Sequence, residues 1–285
     1  QKILKLWEGL GYYSRAKNLK KSAKIICKEM NGKLPNTVKN LQNLPGIGRY
    51  TAGAISSIAF GLKAPVLDGN VKRVLSRLFC INKNGTTSAS ENCLWKKAED
   101  LVPIRRPGDF NQALMELGAI VCIPASPPCQ QCPLRTICKA FLKKRVNEFP
   151  PSKTKNSSKK IEVSAGIIIK NKKVYIQQRI KSGLMGGLWE FPGGKREQGE
   201  SPEECLRREI MEELRVNIVS LNKVMTIKHA YTQFRVTLTV FNCKLQKKKI
   251  RPVGCEQWKW VSLSNLKKYP FPAANVKIVK YLTEN

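Results

Sequence analysis

Cys122, Cys129, Cys132 and Cys138 lie within 17 residues at the spacing C-x6-C-x2-C-x5-C. Thiols this close can hold zinc, ligate an iron–sulfur cluster or oxidise to disulfides. Structural zinc sites draw on two short cysteine pairs, and only Cys129 and Cys132 form one, so the wider spacings favour a [4Fe-4S] cluster. A second constellation is acidic. Glu209, Glu212 and Glu213 fall at i, i+3 and i+4, on one face of a helix. Three like charges there are costly unless a cation such as Mg²⁺ neutralises them, or unless Arg207 and Arg208 do so on a solvated face. A third residue, Asp68, follows the apolar PVL and precedes Gly69, Asn70 and a helical pattern. It reads either as a helix cap or as a carboxylate able to stabilise a sugar cation when a glycosidic bond breaks. Asn70 would support either role.

The elements that must position these groups differ between the two halves. Residues 1–140 carry helical periodicity: an apolar stripe from Ile3 to Leu10, then patterns over about 15–30, 36–44, 51–60, 69–79, 91–101 and 110–122. LPGIGRYTAG (44–53) reads as a tight turn between two helices. Gly46 and Gly48 permit the turn, and its amides, with Leu44 and Arg49 beside them, are candidates to hold a DNA phosphate. Residues 141–160, basic and with Pro-Pro, read as a linker. Strand patterns follow over 163–170, 173–179 and 234–245, with a helix at 202–214. Ser201, Pro202 and Glu204 at its start form a capping box. The expected fold class is therefore multidomain: an all-α domain over 1–140 with an iron–sulfur loop, and an α+β domain over 161–285.

Lys and Arg number 52 against 20 Asp and Glu, a net charge of +32. The excess is even, with 25 bases against 9 acids in residues 1–150 and 27 against 11 in the remainder. Such a balance favours a polyanion, most simply nucleic acid. No apolar run is long enough to span a bilayer, and ten cysteines without a secretory signal fit a reducing cytoplasm, here nucleoid-associated. The chain opens inside an amphipathic helix without an initiator Met, which reads as a fragment.

The stretches LWEGLGYYSRAKNL (6–19), LPGIGRYTAGAI (44–55), VLDGNVKRVLSR (66–77), PGDFNQALMELGAIVC (107–122) and the four cysteines resemble the helix-hairpin-helix DNA glycosylases of the MutY type. The resemblance implies removal of adenine mispaired with 8-oxoguanine in double-stranded DNA by a monomer. It implies a catalytic Asp68, Tyr50 and Asn70 supporting it, and a [4Fe-4S] cluster on Cys122, Cys129, Cys132 and Cys138. The family's general acid belongs to a W-x-S-E segment that this sequence lacks, so a weak or inactive glycosylase is expected of this chain. Residues 187–216 resemble a Nudix box through Gly194, Glu200, Arg208, Glu209, Ile210, Glu212, Glu213 and Val216, with Arg215 where the box has glycine. That near-intact box leaves Mg²⁺-dependent hydrolysis of an oxidised nucleoside triphosphate as an alternative, and lesion binding without turnover as another. Residues 229–234, HAYTQF, resemble the family's lesion loop, making Tyr231, Thr232 and Gln233 recognition candidates. Asn275, in YPFPAANVKI, is a further candidate for purine contact.

Overall fold

The computed structural model describes residues 1–81, 87–151, 159–231, 234–246 and 249–284. The chain gathers into two compact units, Asn18–Lys155 and a second that joins Gln1–Lys17 to Asn156–Asn285. No described helix is long and apolar enough to cross a membrane.

The first unit is helical. Helix α2 (Tyr13–Glu29) enters it, following the short α1 (Lys2–Leu6) of the other unit. Helix α3 (Val38–Gln42) starts where the Thr37 hydroxyl accepts the Asn40 N–H at 3.3 Å. It turns through 43–48 into α4 (Arg49–Ala54), which continues as a π-helical turn over Ile55–Ala59. Leu41, Leu44 and Ala52 close the hairpin's core against Ile25, Ile26 and Met30. Helix α4 needs its small residues. A Cβ on Gly53 would stand 2.1 Å from the Pro65 carbonyl oxygen, so the helix can lie on the 65–66 backbone only if position 53 is glycine.

Helix α5 (Gly69–Phe79) buries Val71, Val74, Leu75 and Leu78, the i, i+3, i+4, i+7 stripe of an amphipathic helix. These pack with Val66, Leu94 and Trp95, the latter two on α6 (Thr87–Leu101), and with Leu114 on α7 (Pro107–Glu116). Full burial of each such side chain is worth roughly 1.5–3 kcal/mol. Helix α7 runs on as a π-helical turn, Leu117–Val121, and the short α8 (Lys139–Leu142) follows the cysteine loop.

The second unit is a mixed sheet between helices. Its strands are β1 (Lys159–Lys170), β2 (Lys173–Arg179), β3 (Trp189–Glu190), β4 (Gly193–Lys195), β5 (Ile218–Ala230), β6 (Phe234–Leu245) and β7 (Cys255–Ser262). The order is β3-β2-β1-β6-β5, with β4 also on β1 and β7 also on β2. Only β1 and β6 pair in parallel, in the register Ala165↔Val240; the other pairs are antiparallel. Period-two alternation divides the side chains into two cores. Ala165, Ile167, Val174, Ile176, Leu238 and Val240 face α11 (Ala273–Glu284), joined at its start by the short α10 (Leu263–Leu266). Ile168, Tyr175, Phe241 and Cys243 face α9 (Pro202–Leu214) through Leu206, Ile210 and Leu214.

Candidate functional site

In the helical unit, Asp68 caps α5: its Oδ1 accepts the Val71 N–H at 2.7 Å. No hydrogen bond engages its other oxygen among the described residues, and the side chain is only partly buried. The cap role is thus filled by one oxygen, and the other is left available. Tyr50, on α4, is 37% exposed and its hydroxyl lies 3.5 Å from the Met115 sulfur. Partial burial raises its pKa and the Asp68 charge adds to the shift, so Tyr50 senses the carboxylate. Asn70 meets neither. Its Oδ1 accepts from Arg73 Nη2 at 2.8 Å, and Arg73 Nε donates to the Cys122 carbonyl at 2.6 Å. The same guanidinium reaches the Gly118 carbonyl, where a Cβ would stand 2.7 Å from that of Asn70. Arg73 thus ties the start of α5 to the end of α7. Sequence reasoning passed over Arg73; its signal was its place three residues after Asn70.

The hairpin turn is built as its glycines suggest. Gly46 has φ +81°, and a Cβ there would strike Asn18 at 2.7 Å. Gly48 is the N-cap of α4 and has open space where a Cβ would be. Leu44 is buried, offering the turn its carbonyl, which accepts the Ile47 N–H at 3.1 Å. The Arg49 guanidinium sits 4.1 Å from the centre of the Trp95 ring, a close cation–π contact.

The iron–sulfur expectation is corrected. Cys122, Cys129, Cys132 and Cys138 line one small cavity, yet among the described residues no three His, Cys, Asp or Glu side chains form a group that could hold a metal ion. Arg77 engages two of the four thiols. Arg77 Nη1 donates to Cys122 Sγ at 3.3 Å, and Cys138 Sγ donates to the Arg77 carbonyl at 3.7 Å. Burial, with smaller contributions from neighbouring thiols, raises the pKa of Cys129 and Cys138. Arg77 organises the loop. It is 3% exposed and also donates to the carbonyls of Ile123, Pro124 and Phe149 at 2.7–2.9 Å. Its signal in the sequence is that Arg73 and Arg77 share a helical face at i and i+4.

The acidic helix of the second unit keeps the residues of a Mg²⁺-binding motif, but among the described residues its carboxylates are not gathered into a group that could hold an ion. Arg208 takes the place of the cation. Its Nε donates to Glu200 at 2.6 Å, and Nη1 reaches Glu209 at 3.0 Å and Glu212 at 3.4 Å. The hydrogen bond from Arg208, helped by the Glu197 amide, holds the Glu200 carboxyl down at about 2. Glu209 lies over Gly194, where a Cβ would come within 2.3 Å of its carboxylate. Glu213 points inward: Gln177 Nε2 donates to Oε1 at 2.7 Å and the Gly193 N–H to Oε2 at 2.8 Å. Burial pushes Glu213 up to about 8, with Glu190 and Glu209 adding.

Thr232 and Gln233 lie outside the described residues. Tyr231 is packed edge-on to His229 at 4.5 Å and tilted against Phe234 at 4.9 Å, and its hydroxyl accepts the Ala274 N–H at 3.3 Å. These rings line a cavity of about 450 Å³ with Leu184, Met185 and the segment 9–14. Tyr12 on that segment has φ +44° and is 54% exposed, an aromatic ring held out at the rim and not singled out from sequence. Asn275 is used inside the fold, its Oδ1 accepting the Phe191 N–H at 3.4 Å.

Fold and site together define a base-excision helix-hairpin-helix protein joined to a Nudix unit. The sequence matches the model of the HhH-GPD superfamily of base excision DNA repair proteins over residues 1–100, and that of the NUDIX domain over 164–281. It is 33% identical over 290 residues to the adenine DNA glycosylase of Buchnera aphidicola subsp. Acyrthosiphon pisum (strain APS), covering 99% of this chain and 79% of that one. It is 34% identical over 299 residues to the adenine DNA glycosylase of Homo sapiens, covering 86% of this chain and 54% of the relative. The chain belongs to the adenine DNA glycosylase family. It spans 54% to 64% of the length of the human, mouse and rat relatives.

Proposed function

We propose that the chain acts in base excision repair of DNA, cleaving the glycosidic bond of adenine paired with 8-oxoguanine. The observation that carries this reading is Asp68, with one oxygen fixed by the α5 cap and the other uncommitted, beside a Tyr50 hydroxyl that senses its charge. As the bond to adenine breaks, the sugar gains positive charge. A carboxylate held in place needs no reorganisation to stabilise it. Tyr50 supplies a second, neutral dipole at the same position. The departing base must also take up a proton, and no acid is hydrogen-bonded to Asp68 or Tyr50 among the described residues. Reaching adenine requires its extrusion from the duplex, for which the open side of the hairpin turn at Gly48 offers backbone to a phosphate. In the second unit, the aromatic cavity around Tyr231 is suited to an oxidised purine, since stacking on a ring accepts any base face.

The test is single-turnover release of adenine from a duplex carrying the 8-oxoguanine:adenine pair, with Asp68→Asn beside the wild type. Asparagine caps helices as well as aspartate does, so the fold should persist and the unfolding midpoint stay within a few degrees. The rate should fall by about 10²-fold or more, the scale of losing one preorganised electrostatic group. Equal rates for the two proteins would remove Asp68 from the chemistry.

A further inference from the structure

Resting on the reading of the Tyr231 cavity as the lesion site, we infer that Glu8 is a positioning residue that fixes one wall of that cavity and so sets its selectivity for an oxidised purine. Glu8 does not line the cavity. The wall is the segment Gly9–Ser14, and its backbone is unusually free. Gly9, Gly11 and Tyr12 have φ of +88°, +69° and +44°, left-handed values at three positions of four. Glycine has the widest choice of conformations, so bonds must hold this shape: Trp7 Nε1 donates to the Gly11 carbonyl at 3.0 Å and the Gly9 N–H to the Tyr13 hydroxyl at 3.3 Å, and further bonds tie the segment to the rest of its unit.

Those bonds converge on one short stretch, 269–271. Glu8 Oε1 accepts the Phe271 N–H at 2.8 Å. The Tyr13 hydroxyl donates to the Phe271 carbonyl at 3.5 Å, and Lys5 Nζ to the Tyr269 carbonyl at 3.3 Å. Lys5 also pairs with Glu8 Oε2 at 2.5 Å, which orients the carboxylate. The Glu8 bond is the shortest of the three that Lys5, Glu8 and Tyr13 make to 269–271 and is charge-assisted, the stronger class. The facing wall is fixed to the same strip of backbone: three residues on, the Ala274 N–H donates to the Tyr231 hydroxyl. Phe271 and Ala274 therefore act as two pegs of one gauge, one for each wall, and Glu8 is the side chain that seats the first.

The full chain, Glu8→Leu and Glu8→Gln are compared by two measurements. One is hydrogen exchange of the amides of residues 9–14. The other is the ratio of affinities for two duplexes, each with a non-cleavable adenine analogue, opposite 8-oxoguanine in one and guanine in the other. In Glu8→Leu, exchange over 9–14 should accelerate and the ratio should drop by about tenfold, the worth of one such bond, while affinity for the guanine duplex holds. Glu8→Gln keeps an oxygen for the Phe271 N–H and should restore both. Wild-type exchange in Glu8→Leu would overturn the inference, as would faster exchange with an unchanged ratio, because the wall would then be held without governing selectivity. A parallel fall for both duplexes would also overturn it, marking a merely structural role. If the wild type itself does not prefer the lesion while exchange still answers to Glu8, the lesion-site reading is what has failed, and the claim on selectivity falls with it.

Discussion

At the residue scale, position in the fold decides what each ionisable group does. Glu213 has the residue type and spacing of a metal ligand, yet it is inserted between Gln177 and the Gly193 amide. Its carboxyl is raised to about 8 by burial, whereas in the unfolded chain it titrates near 4.3. The folded state thus holds a proton that the unfolded state releases. Stability from this group is complete below about pH 4 and is lost as pH rises through about 8. Each unit of displacement corresponds to about 1.4 kcal/mol, and relaxation around a buried acid trims the total, so a loss of about 2 kcal/mol between pH 5 and 9 is expected. Denaturant unfolding of the full chain, followed by a probe in the second unit, should show that slope in the wild type and a flatter one in Glu213→Gln, where the Gln177 amide can reverse to meet the new donor. A slope unchanged by the substitution would mean that Glu213 is already ionised in the fold. Asp68 is the contrasting case. The cap and the free oxygen coexist on one carboxylate, so the two readings that its sequence context left open were never exclusive.

At the element scale, most of the secondary structure was legible because periodicity and caps are local. Helix α5 occupies 69–79 as its pattern predicts, and the capping box of Ser201 and Glu204 is present with both of its bonds. What sequence could not carry was the destination of side chains. The spacing of the four cysteines is a property of the chain, whereas their surroundings depend on Arg77, which is distant in sequence and buried among the same loop's carbonyls. For the same reason Arg208, adjacent to the acids in sequence, was weighed as a neutraliser without any means of knowing how many of them it would reach. The end of α9 offers a prediction. Arg215 takes the glycine position of the box and sits at φ +58°, a left-handed C-cap. The last carbonyls of the helix are satisfied elsewhere, Glu213 by the Val253 N–H at 2.8 Å and Leu214 by the Arg251 N–H at 2.9 Å. The exposed Arg215 side chain is therefore not needed for the cap. Arg215→Gly removes a strain of about 1–2 kcal/mol and adds back part of it as freedom in the unfolded chain. The net gain should be roughly 0.5–1 kcal/mol, read as an unfolding midpoint a few degrees higher in calorimetry. A lower midpoint would mean that the arginine contributes a contact in solution.

At the scale of the whole molecule, charge is the dominant feature. Twenty acids cannot neutralise 52 bases, and several of the described acids are already engaged locally, Glu91 with Lys72, Asp109 with Arg106, Glu148 with Arg145 and Glu256 with Lys181. Exposed pairs of this kind add little to stability, so they leave the field of the remaining cations nearly intact. Because the excess is shared by both halves of the sequence, a duplex in contact with either half meets a positive surface. Binding should then be driven largely by release of counterions, with log Kd rising linearly with log salt at a slope of about 0.9 per neutralised phosphate. A footprint of ~6 phosphates gives a slope of about 5, so raising salt from 50 to 200 mM should weaken binding by roughly 10³-fold. The lesion and undamaged duplexes should share that slope and differ by a constant offset, since phosphate contacts position the protein while contacts to the base discriminate. Fluorescence anisotropy titrations at four salt concentrations measure both quantities. A slope near 1 would show that the surplus charge is not directed at the DNA backbone. Converging lines would show that lesion selectivity is itself electrostatic, with Lys17 in the cavity lining the first candidate source.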